Sequence, residues 1–199
     1  MIWRPETIAA MHRGYTADRY LERLAAARAG IPDLAVSTDI IVGFPGETEG
    51  DFEDTLDVVR RARFDQAYTF QYSPRPGTRA TEMDDQLDKP VVQERFDRLV
   101  ALQEAIGLER MRAQVGSPAE VLIEGLGRKG GARGRTRGNR VVHVAGEHAP
   151  GTFLDVLIVG AHPHHLDGEL AAGGPGGSRS ERERASGSPP EQREPAAVG

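Results

Sequence analysis

Residues 37–48 read Ser-Thr-Asp-Ile-Ile-Val-Gly-Phe-Pro-Gly-Glu-Thr, and this stretch decides the fold of the first half of the chain. The short apolar run 40–42 is typical of a strand that is covered on both faces of a parallel sheet. The two glycines permit a tight turn, and Thr48 is a residue type that caps helix N-termini. The sequence therefore predicts a strand from Ala35 to Val42, followed by a loop and by a helix from Thr48 to about Ala62.

Residues 67–72 form the second predicted strand, because polar and aromatic residues alternate along them. A strand, a helix and a second strand make a βαβ unit, whose strands are parallel and joined by a right-handed crossover. The loops that follow the two strands then lie at the same edge of the sheet, which is where α/β folds bind small ligands. Residues 43–47 and 73–78 are therefore candidates for a shared ligand site.

Helices are predicted on both sides of this unit. One runs from Thr16 to about Ala29, with Gly30 as the residue after its C-terminus, and a longer one runs from Pro90 to about Arg112. Two parallel strands alone leave both sheet edges unpaired, so we expect further strands that this sequence does not contain. The residues of the long helix that we expect to face inward are Val92, Phe96, Leu99 and Ile106.

From residue 113 onward the pattern changes to short alternating pieces separated by glycine and proline. This spacing predicts a small antiparallel barrel, with Phe153 in its core. We therefore expect an incomplete α/β unit at residues 1–112, a small β-barrel domain at 113–170 and a disordered tail at 171–199. The strands of the small barrel are predicted at residues 119–124, 135–138, 140–144, 153–159 and 165–170.

Composition limits the function classes. The chain has 199 residues, a formal charge of -5 and no cysteine. The missing cysteines exclude disulfides, thiolate zinc sites, cysteine nucleophiles and cysteine-held iron–sulfur clusters in this chain. No apolar run reaches the ~20 residues of a membrane span, so we expect a cytoplasmic chain with no membrane partner. The net charge of the whole chain is small and negative, so it does not by itself indicate nucleic-acid binding.

The local distribution of charge, in contrast, does indicate nucleic-acid binding. Six basic residues gather in a glycine-rich stretch that has no acidic residue among them. Such density on the loops and strands of a small barrel favours contacts with RNA phosphates, and a solvated flexible loop is the alternative. Asn139 either reads a base edge or sits in a turn. The residues predicted to bind RNA are Arg128, Lys129, Arg133, Arg135, Arg137, Asn139 and Arg140.

The histidine-rich segment His162-Pro163-His164-His165 raises the question of a metal site, since imidazoles are frequent zinc ligands. The proline interrupts the spacing of the histidines, and Asp167 is the only evident carboxylate partner. We therefore predict no metal ligand in this chain. We also assign no catalytic residue.

Three ordered motifs resemble one known family. Residues 11–15 (Met-His-Arg-Gly-Tyr), 38–48 and 70–78 (Phe-Gln-Tyr-Ser-Pro-Arg-Pro-Gly-Thr) are similar to the C-terminal half of the radical SAM methylthiotransferases, most closely the MiaB type that acts on tRNA. Residues 115–170 resemble the TRAM domain that ends those enzymes. The resemblance implies an α/β fold: the last two strands of a partial, TIM-like radical SAM barrel, followed by a small antiparallel OB-like TRAM barrel.

The resemblance also implies a chemistry. Enzymes of this type add a methylthio group to C2 of N6-isopentenyladenosine beside the anticodon of tRNA, using S-adenosylmethionine and two [4Fe-4S] clusters. This chain has no cysteine for either cluster, so we expect it to hold no cofactor alone and to need a separate N-terminal half. The family carries a similar Pro-His pair near its last strand without a metal. The residues implied to form the S-adenosylmethionine pocket of the complete barrel are Gly43, Phe44, Pro45, Gly46, Glu47, Tyr72, Ser73 and Arg75.

Three alternatives stay open: a stand-alone TRAM-type RNA-binding module, a non-functional gene remnant, and a fragment of the sister enzyme that modifies an aspartate of a ribosomal protein. The Gly-Arg-Thr-x-x-Asn-x-Val pattern at residues 134–141 is closer to the tRNA branch of the family. The expected partner is therefore the anticodon arm of tRNA, and DNA is not expected.

Overall fold

The structure is a computed structural model, and it describes residues 16–127 and 130–171. The motif at residues 11–15, the predicted RNA-binding residues Arg128 and Lys129, and the predicted tail beyond residue 171 lie outside this range. The elements are, in chain order, α1 (Ala17–Gly30), β1 (Ser37–Val42), α2 (Glu49–Ala62), β2 (Gln66–Gln71), a short 3₁₀ helix (Arg79–Glu82), α3 (Lys89–Arg112), β3 (Pro118–Leu126), β4 (Ala132–Thr136), β5 (Val141–Val144), β6 (Phe153–Ala161) and β7 (Leu166–Leu170).

The first half of the chain contains the predicted βαβ unit. β1 and β2 pair in parallel along their whole length, which confirms the predicted topology. The crossover helix α2 begins with a capping box: the Thr48 hydroxyl accepts from the Asp51 N–H at 3.2 Å, and the Asp51 carboxylate accepts from the Thr48 N–H at 2.9 Å. These reciprocal bonds fix the point at which the loop after β1 becomes a helix.

One face of this two-stranded sheet is covered within the described residues. Ile40 and Val42 are fully buried against α2 and α3, whereas Ile41, Tyr68 and Phe70 on the other face are 39%, 48% and 51% exposed. The prediction of a strand covered on both faces is therefore wrong for the described chain, because α2 and α3 both pack on the same side. The core beneath the covered face also contains Leu24, Phe52, Leu56, Val59, Phe64, Val92, Leu99 and Ile106.

The flanking helices differ from the prediction at their ends. Thr16 caps α1, since its hydroxyl accepts from the Arg19 N–H at 3.3 Å. Gly30 is the last helical residue, so its predicted place after the helix is wrong, and the chain instead turns at Asp33 with a φ of 54°. The long helix was predicted to begin at Pro90, and in the structure Pro90 lies in the first turn of α3. The predicted inward residues are confirmed, with Val92, Leu99 and Ile106 buried and Phe96 packed against the same core.

The second half of the chain forms a closed five-stranded barrel in the order β3-β4-β5-β7-β6. All neighbouring strands are antiparallel except β5 and β7, which are parallel, so the predicted small barrel is confirmed with one parallel pair. Its interior is filled by side chains from every strand, and all except the alanine of β4 are branched. The buried members are Val121, Ile123, Ala132, Val142, Val144, Val156, Ile158 and Leu166.

Two predictions about the barrel are wrong. The predicted strand at residues 135–138 is shifted, because β4 ends at Thr136 and Asn139 adopts a left-handed conformation with a φ of 61° in the turn that follows. Phe153 is 39% exposed and not in the core. The inward positions of β6 are Val156 and Ile158, and the two-residue period of a strand places Phe153 on the outer face.

The two halves are in contact. Met111 of α3 packs against the barrel core, and a Cβ placed on Gly138 would lie 3.2 Å from the Cβ of Ala35. A cleft of about 860 Å³ along this boundary is lined by residues from both 31–37 and 135–141. Among residues 16–127 and 130–171, no helix combines the length and the apolar composition that a membrane crossing needs.

Candidate functional site

The loop after β1 is a preformed turn held by its own hydrogen bonds. Gly43 and Gly46 have φ values of 77° and 76°, which glycine adopts readily. The Gly43 N–H donates to the Glu47 carboxylate at 3.2 Å, and the Gly46 N–H donates to the Asp85 carbonyl at 2.8 Å. The Glu47 N–H donates to the Phe44 carbonyl at 2.9 Å. Two of these N–H groups therefore bond within the loop and the third bonds to Asp85, so none of the three is presented as an anion cradle.

Gly43 is required by packing as well as by its backbone angle. A Cβ at this position would lie 2.6 Å from both γ-carbons of Val92 in α3. Val92 therefore fills the space that a side chain at position 43 would need.

Glu47 lies at the centre of a buried ionic network. Its carboxylate accepts from the Arg95 guanidinium at 2.8 Å, and its carbonyl accepts from the same Nη1 at 3.0 Å. Burial raises the pKa of Glu47 above its ordinary value, although the hydrogen bonds from Arg95 and Gly43 oppose the shift. Arg95 was not singled out from the sequence. Its guanidinium also lies 5.6 Å from the ring centre of Phe52, so it ties the loop to both α2 and α3.

The two candidate loops meet through an aromatic pair. The ring centroids of Phe44 and Tyr72 are 5.4 Å apart in an edge-to-face arrangement, and the Tyr72 N–H donates to the Val42 carbonyl at 2.8 Å. Among the described residues, the buried hydroxyl of Tyr72 has no hydrogen-bond partner. A buried hydroxyl without a partner is costly, and it marks a place where a polar ligand group can be accommodated.

The remaining predicted pocket residues lie around this pair. Pro45 is buried beneath the loop, whereas Ser73 and Arg75 are exposed. The Arg75 carbonyl accepts from the hydroxyls of Thr78 and Thr81, both at 2.8 Å, so the second loop folds back on itself. The structure therefore brings all eight predicted residues to one edge of the sheet, with different exposures.

The predicted RNA-binding arginines of β4 and the following turn carry carboxylate partners from β3. Arg133 and Arg135 lie 3.4 Å and 3.1 Å from Glu124, and Arg137 lies 3.2 Å from Glu120. The sequence stretch itself has no acidic residue, and these partners come from the neighbouring strand. The side chain of Arg137 is still 78% exposed, and the three arginines keep access to solvent.

Asn139 and Arg140 have structural partners. The Asn139 backbone and side-chain oxygens accept from Arg135 Nη1 at 3.1 Å and 3.0 Å, which agrees with the turn interpretation. Arg140 is 8% exposed, and its guanidinium binds Asp65 at 2.5 Å. The RNA contact of Arg140 stays a prediction, and in this structure its charged group is buried against the βαβ half.

Asp65 collects several donors at this boundary. Its carboxylate accepts from Arg110 Nε at 2.8 Å and from the Val36 N–H at 2.9 Å, in addition to Arg140. Burial acts to raise the pKa of the Asp65 carboxyl, but these bonds and the charges of the two arginines outweigh it and lower the pKa below its ordinary value.

The chain matches known proteins along most of its length. Residues 2–59 match the radical SAM superfamily, and residues 112–171 match the TRAM domain. It is 53% identical over 191 residues to tRNA-2-methylthio-N(6)-dimethylallyladenosine synthase 1 of Mycobacterium marinum, covering 89% of this chain and 36% of that protein. Over most of its length the chain is therefore similar to the C-terminal part of this synthase. The corresponding synthase of Streptomyces coelicolor is 54% identical over 172 residues, covering 82% of this chain and 34% of the relative.

The chain spans about a third of the length of these curated relatives, and it matches their C-terminal part. The family implies S-adenosylmethionine and iron–sulfur clusters in the complete enzymes. The clusters do not fit the residues present, because no cysteine supplies a thiolate. S-adenosylmethionine does fit one feature of this chain, since the Tyr72 hydroxyl offers a buried donor at the meeting point of the two loops.

Proposed function

We propose that this chain supplies the last two strands of a radical SAM barrel and the RNA-binding domain of a tRNA methylthiotransferase. The reaction would be the addition of a methylthio group to C2 of N6-isopentenyladenosine beside the anticodon. One observation carries the proposal: in a chain 53% identical to such a synthase over 191 residues, the loops after two parallel strands meet through Phe44 and Tyr72.

Different residues of the two loops would contact different parts of S-adenosylmethionine. Phe44 and Tyr72 would offer ring faces and the Tyr72 hydroxyl, and the exposed Arg75 would bind the carboxylate of the cofactor. Gly43 and Glu47 would act as positioning residues, since their polar groups already bind each other. When bound, S-adenosylmethionine would supply the radical chemistry of the family.

A further polypeptide segment would complete the barrel and hold the clusters. Both strands of the described two-stranded sheet have one unpaired edge, and the face bearing Ile41, Tyr68 and Phe70 is exposed. Unpaired edges and exposed aromatic faces are typical of surfaces that another element covers. The cluster-bearing N-terminal part of a relative is the expected occupant.

The TRAM barrel would bind the anticodon arm through Arg133, Arg135 and Arg137. Their ion pairs with Glu120 and Glu124 are exposed, and exposed pairs are worth at most about 1 kcal/mol each. RNA phosphates can therefore displace the carboxylates at small cost. Arg135 and Arg137 also line the cleft between the two halves, which gives the RNA a route toward the loops.

The activity test combines this chain with a separately expressed N-terminal part of a relative, iron, sulfide, S-adenosylmethionine and isopentenylated tRNA. Mass spectrometry of tRNA digests should detect the methylthio nucleoside when both polypeptides are present, and not with either one alone. Product formed by this chain alone would contradict the proposal, and so would failure of the two parts to form a complex.

The RNA test measures binding of a labelled anticodon stem-loop by fluorescence anisotropy at several salt concentrations. Replacing Arg133, Arg135 or Arg137 by alanine should lower the slope of log K against log salt by about one for each lost phosphate contact. Glu124→Gln should tighten binding, because it releases two arginines. Arg23→Ala on the exposed side of α1 is the matched control. Unchanged slopes in all three arginine variants would exclude this face.

A stand-alone RNA-binding module is the second candidate, and the closed barrel favours it because its core is formed by its own strands. The two candidates differ in one result. If the RNA contacts behave as described while the added N-terminal part restores no methylthiolation, the module is the correct function.

A further inference from the structure

A group of histidines and one aspartate lies where the β6–β7 hairpin turns. His162 and His165 flank the two-residue turn of Pro163 and His164, and the His162 N–H donates to the His165 carbonyl at 2.9 Å. The two flanking rings stack, with centroids 4.4 Å apart and planes 13° from parallel. The proline therefore makes the turn that brings the two imidazoles together, and it does not interrupt their spacing.

Asp167 completes the group. It follows His165 by two residues along the chain, so the period of a strand places both side chains on the same face. One Asp167 oxygen lies 2.8 Å from His162 Nε2, and the other lies 3.9 Å from His165 Nε2. One ligand atom from each of the three residues lies within 4.8 Å of the others.

Residues on the two neighbouring strands make room for this group and pack against it. Gly160 lies opposite Asp167 in the β6–β7 register, and a Cβ at Gly160 would lie 2.8 Å from Asp167 Oδ2. His143 lies opposite Asp167 in the β5–β7 register, and its ring packs edge-on against His165 at 4.7 Å. The glycine leaves room for the carboxylate, and the third histidine supports the ring of His165 from the side.

We propose that His162, His165 and Asp167 bind one zinc ion on the TRAM barrel. Imidazole nitrogen and carboxylate oxygen are ordinary zinc ligands at about 2.0–2.2 Å, which places tetrahedral ligand atoms about 3.3–3.5 Å apart. The side chains are exposed or half-buried, so small rotations close the remaining distance. Calcium and magnesium prefer sites made of oxygen atoms, so they are poor occupants of a site with two nitrogens.

This inference differs from the sequence-based expectation that the chain has no metal ligand. It is also independent of the proposed tRNA chemistry, because none of the three residues belongs to the loops after β1 and β2. Three protein ligands leave one tetrahedral position for water or for an anionic oxygen. The ion would hold the hairpin turn in one conformation at the end of the barrel.

The test measures zinc binding to the untagged, EDTA-treated chain by competition with a chromophoric chelator. One equivalent of zinc should bind, and a large excess of magnesium should not displace it. His162→Ala, His165→Ala and Asp167→Asn should each raise the Kd by at least about 10-fold. Gly160→Ala should also weaken binding, because it displaces the Asp167 carboxylate while all three ligands remain. Circular dichroism checks that each variant keeps its fold.

His164→Ala is the matched control, because His164 belongs to the same turn but lines the cleft between the two halves. It should leave the Kd unchanged. Absence of one-to-one binding, or equal affinity in the ligand variants and in this control, would overturn the proposal.

Discussion

The Nη2 atom of Arg140 lies 2.5 Å from Oδ1 of Asp65, and this ion pair joins the TRAM barrel to the βαβ half. Both side chains are about nine-tenths buried, at 9% and 10% exposure. Asp65 precedes β2, and Arg140 precedes β5. The pair therefore fixes the barrel relative to β2, and Tyr72 directly follows the far end of that strand.

Arg140→Ala should lower the free energy of unfolding by about 2 kcal/mol, measured by urea denaturation. The loss is smaller than for a fully orphaned buried charge, because Arg110 still binds Asp65. Arg137→Ala is the control, since its side chain in the same turn is 78% exposed. Equal stability of the two variants would mean that the ion pair does not hold the halves together.

Stability should depend on pH through Asp65. Its pKa is lowered in the folded chain, so the unfolded chain binds more protons in acid. The stabilisation is complete above the unfolded carboxyl pKa of about 3.9 and is lost as pH falls through the folded value. The unfolding free energy of the parent chain should therefore fall more steeply below about pH 4 than that of Asp65→Asn.

The comparison with Asp65→Asn isolates this carboxyl. The pKa of Glu47 is shifted upward, which has the opposite effect on stability, but Glu47 is present in both proteins. Urea midpoints measured at several pH values provide the data. Parallel stability curves for the two proteins would exclude Asp65 as the acid-sensitive group.

Local patterns in the sequence predict the elements and their order well. The apolar run before Gly43 forms the predicted strand and Thr48 caps the predicted helix, because both features depend on neighbours within a few residues. The alternation along the second half likewise predicts a small barrel. These features succeed because helix and strand periodicity is a local property.

The partners of charged groups are set by tertiary contacts, and the sequence pattern does not contain them. Arg140 and Asp65 are 75 positions apart, and Glu124 faces Arg135 only because β3 pairs with β4. The grouping of His162 with Asp167 follows from a two-residue hairpin turn. The Pro-His dipeptide is the sequence signal for that turn, and it could have revealed the cluster.

Gly43→Ala should destabilise the chain for two separable reasons. The positive φ costs an alanine about 1–2 kcal/mol, and the Cβ would meet Val92 at 2.6 Å, which adds about 1–3 kcal/mol of overpacking. Gly77→Ala is the matched control, because its φ is 80° and nothing lies within 4 Å of its Cβ position. Urea denaturation should show a larger loss for Gly43→Ala. Shortening Val92 to alanine in the same chain should recover part of the difference, and equal losses at the two glycines would rule out the packing role.

Tyr72→Phe should separate folding from cofactor binding. The buried Tyr72 hydroxyl has no partner among the described residues, so its removal should leave the urea midpoint of the chain unchanged or slightly higher. The ring and its edge-to-face contact with Phe44 remain.

In the complex with an N-terminal part, the same variant should bind S-adenosylmethionine more weakly by about 5–10-fold, which is the loss expected for one hydrogen bond. Equilibrium dialysis measures this affinity. Phe44→Leu provides the comparison, because it removes a ring and keeps the hydroxyl. A Tyr72→Phe variant that is less stable but binds the cofactor normally would assign the hydroxyl to folding alone.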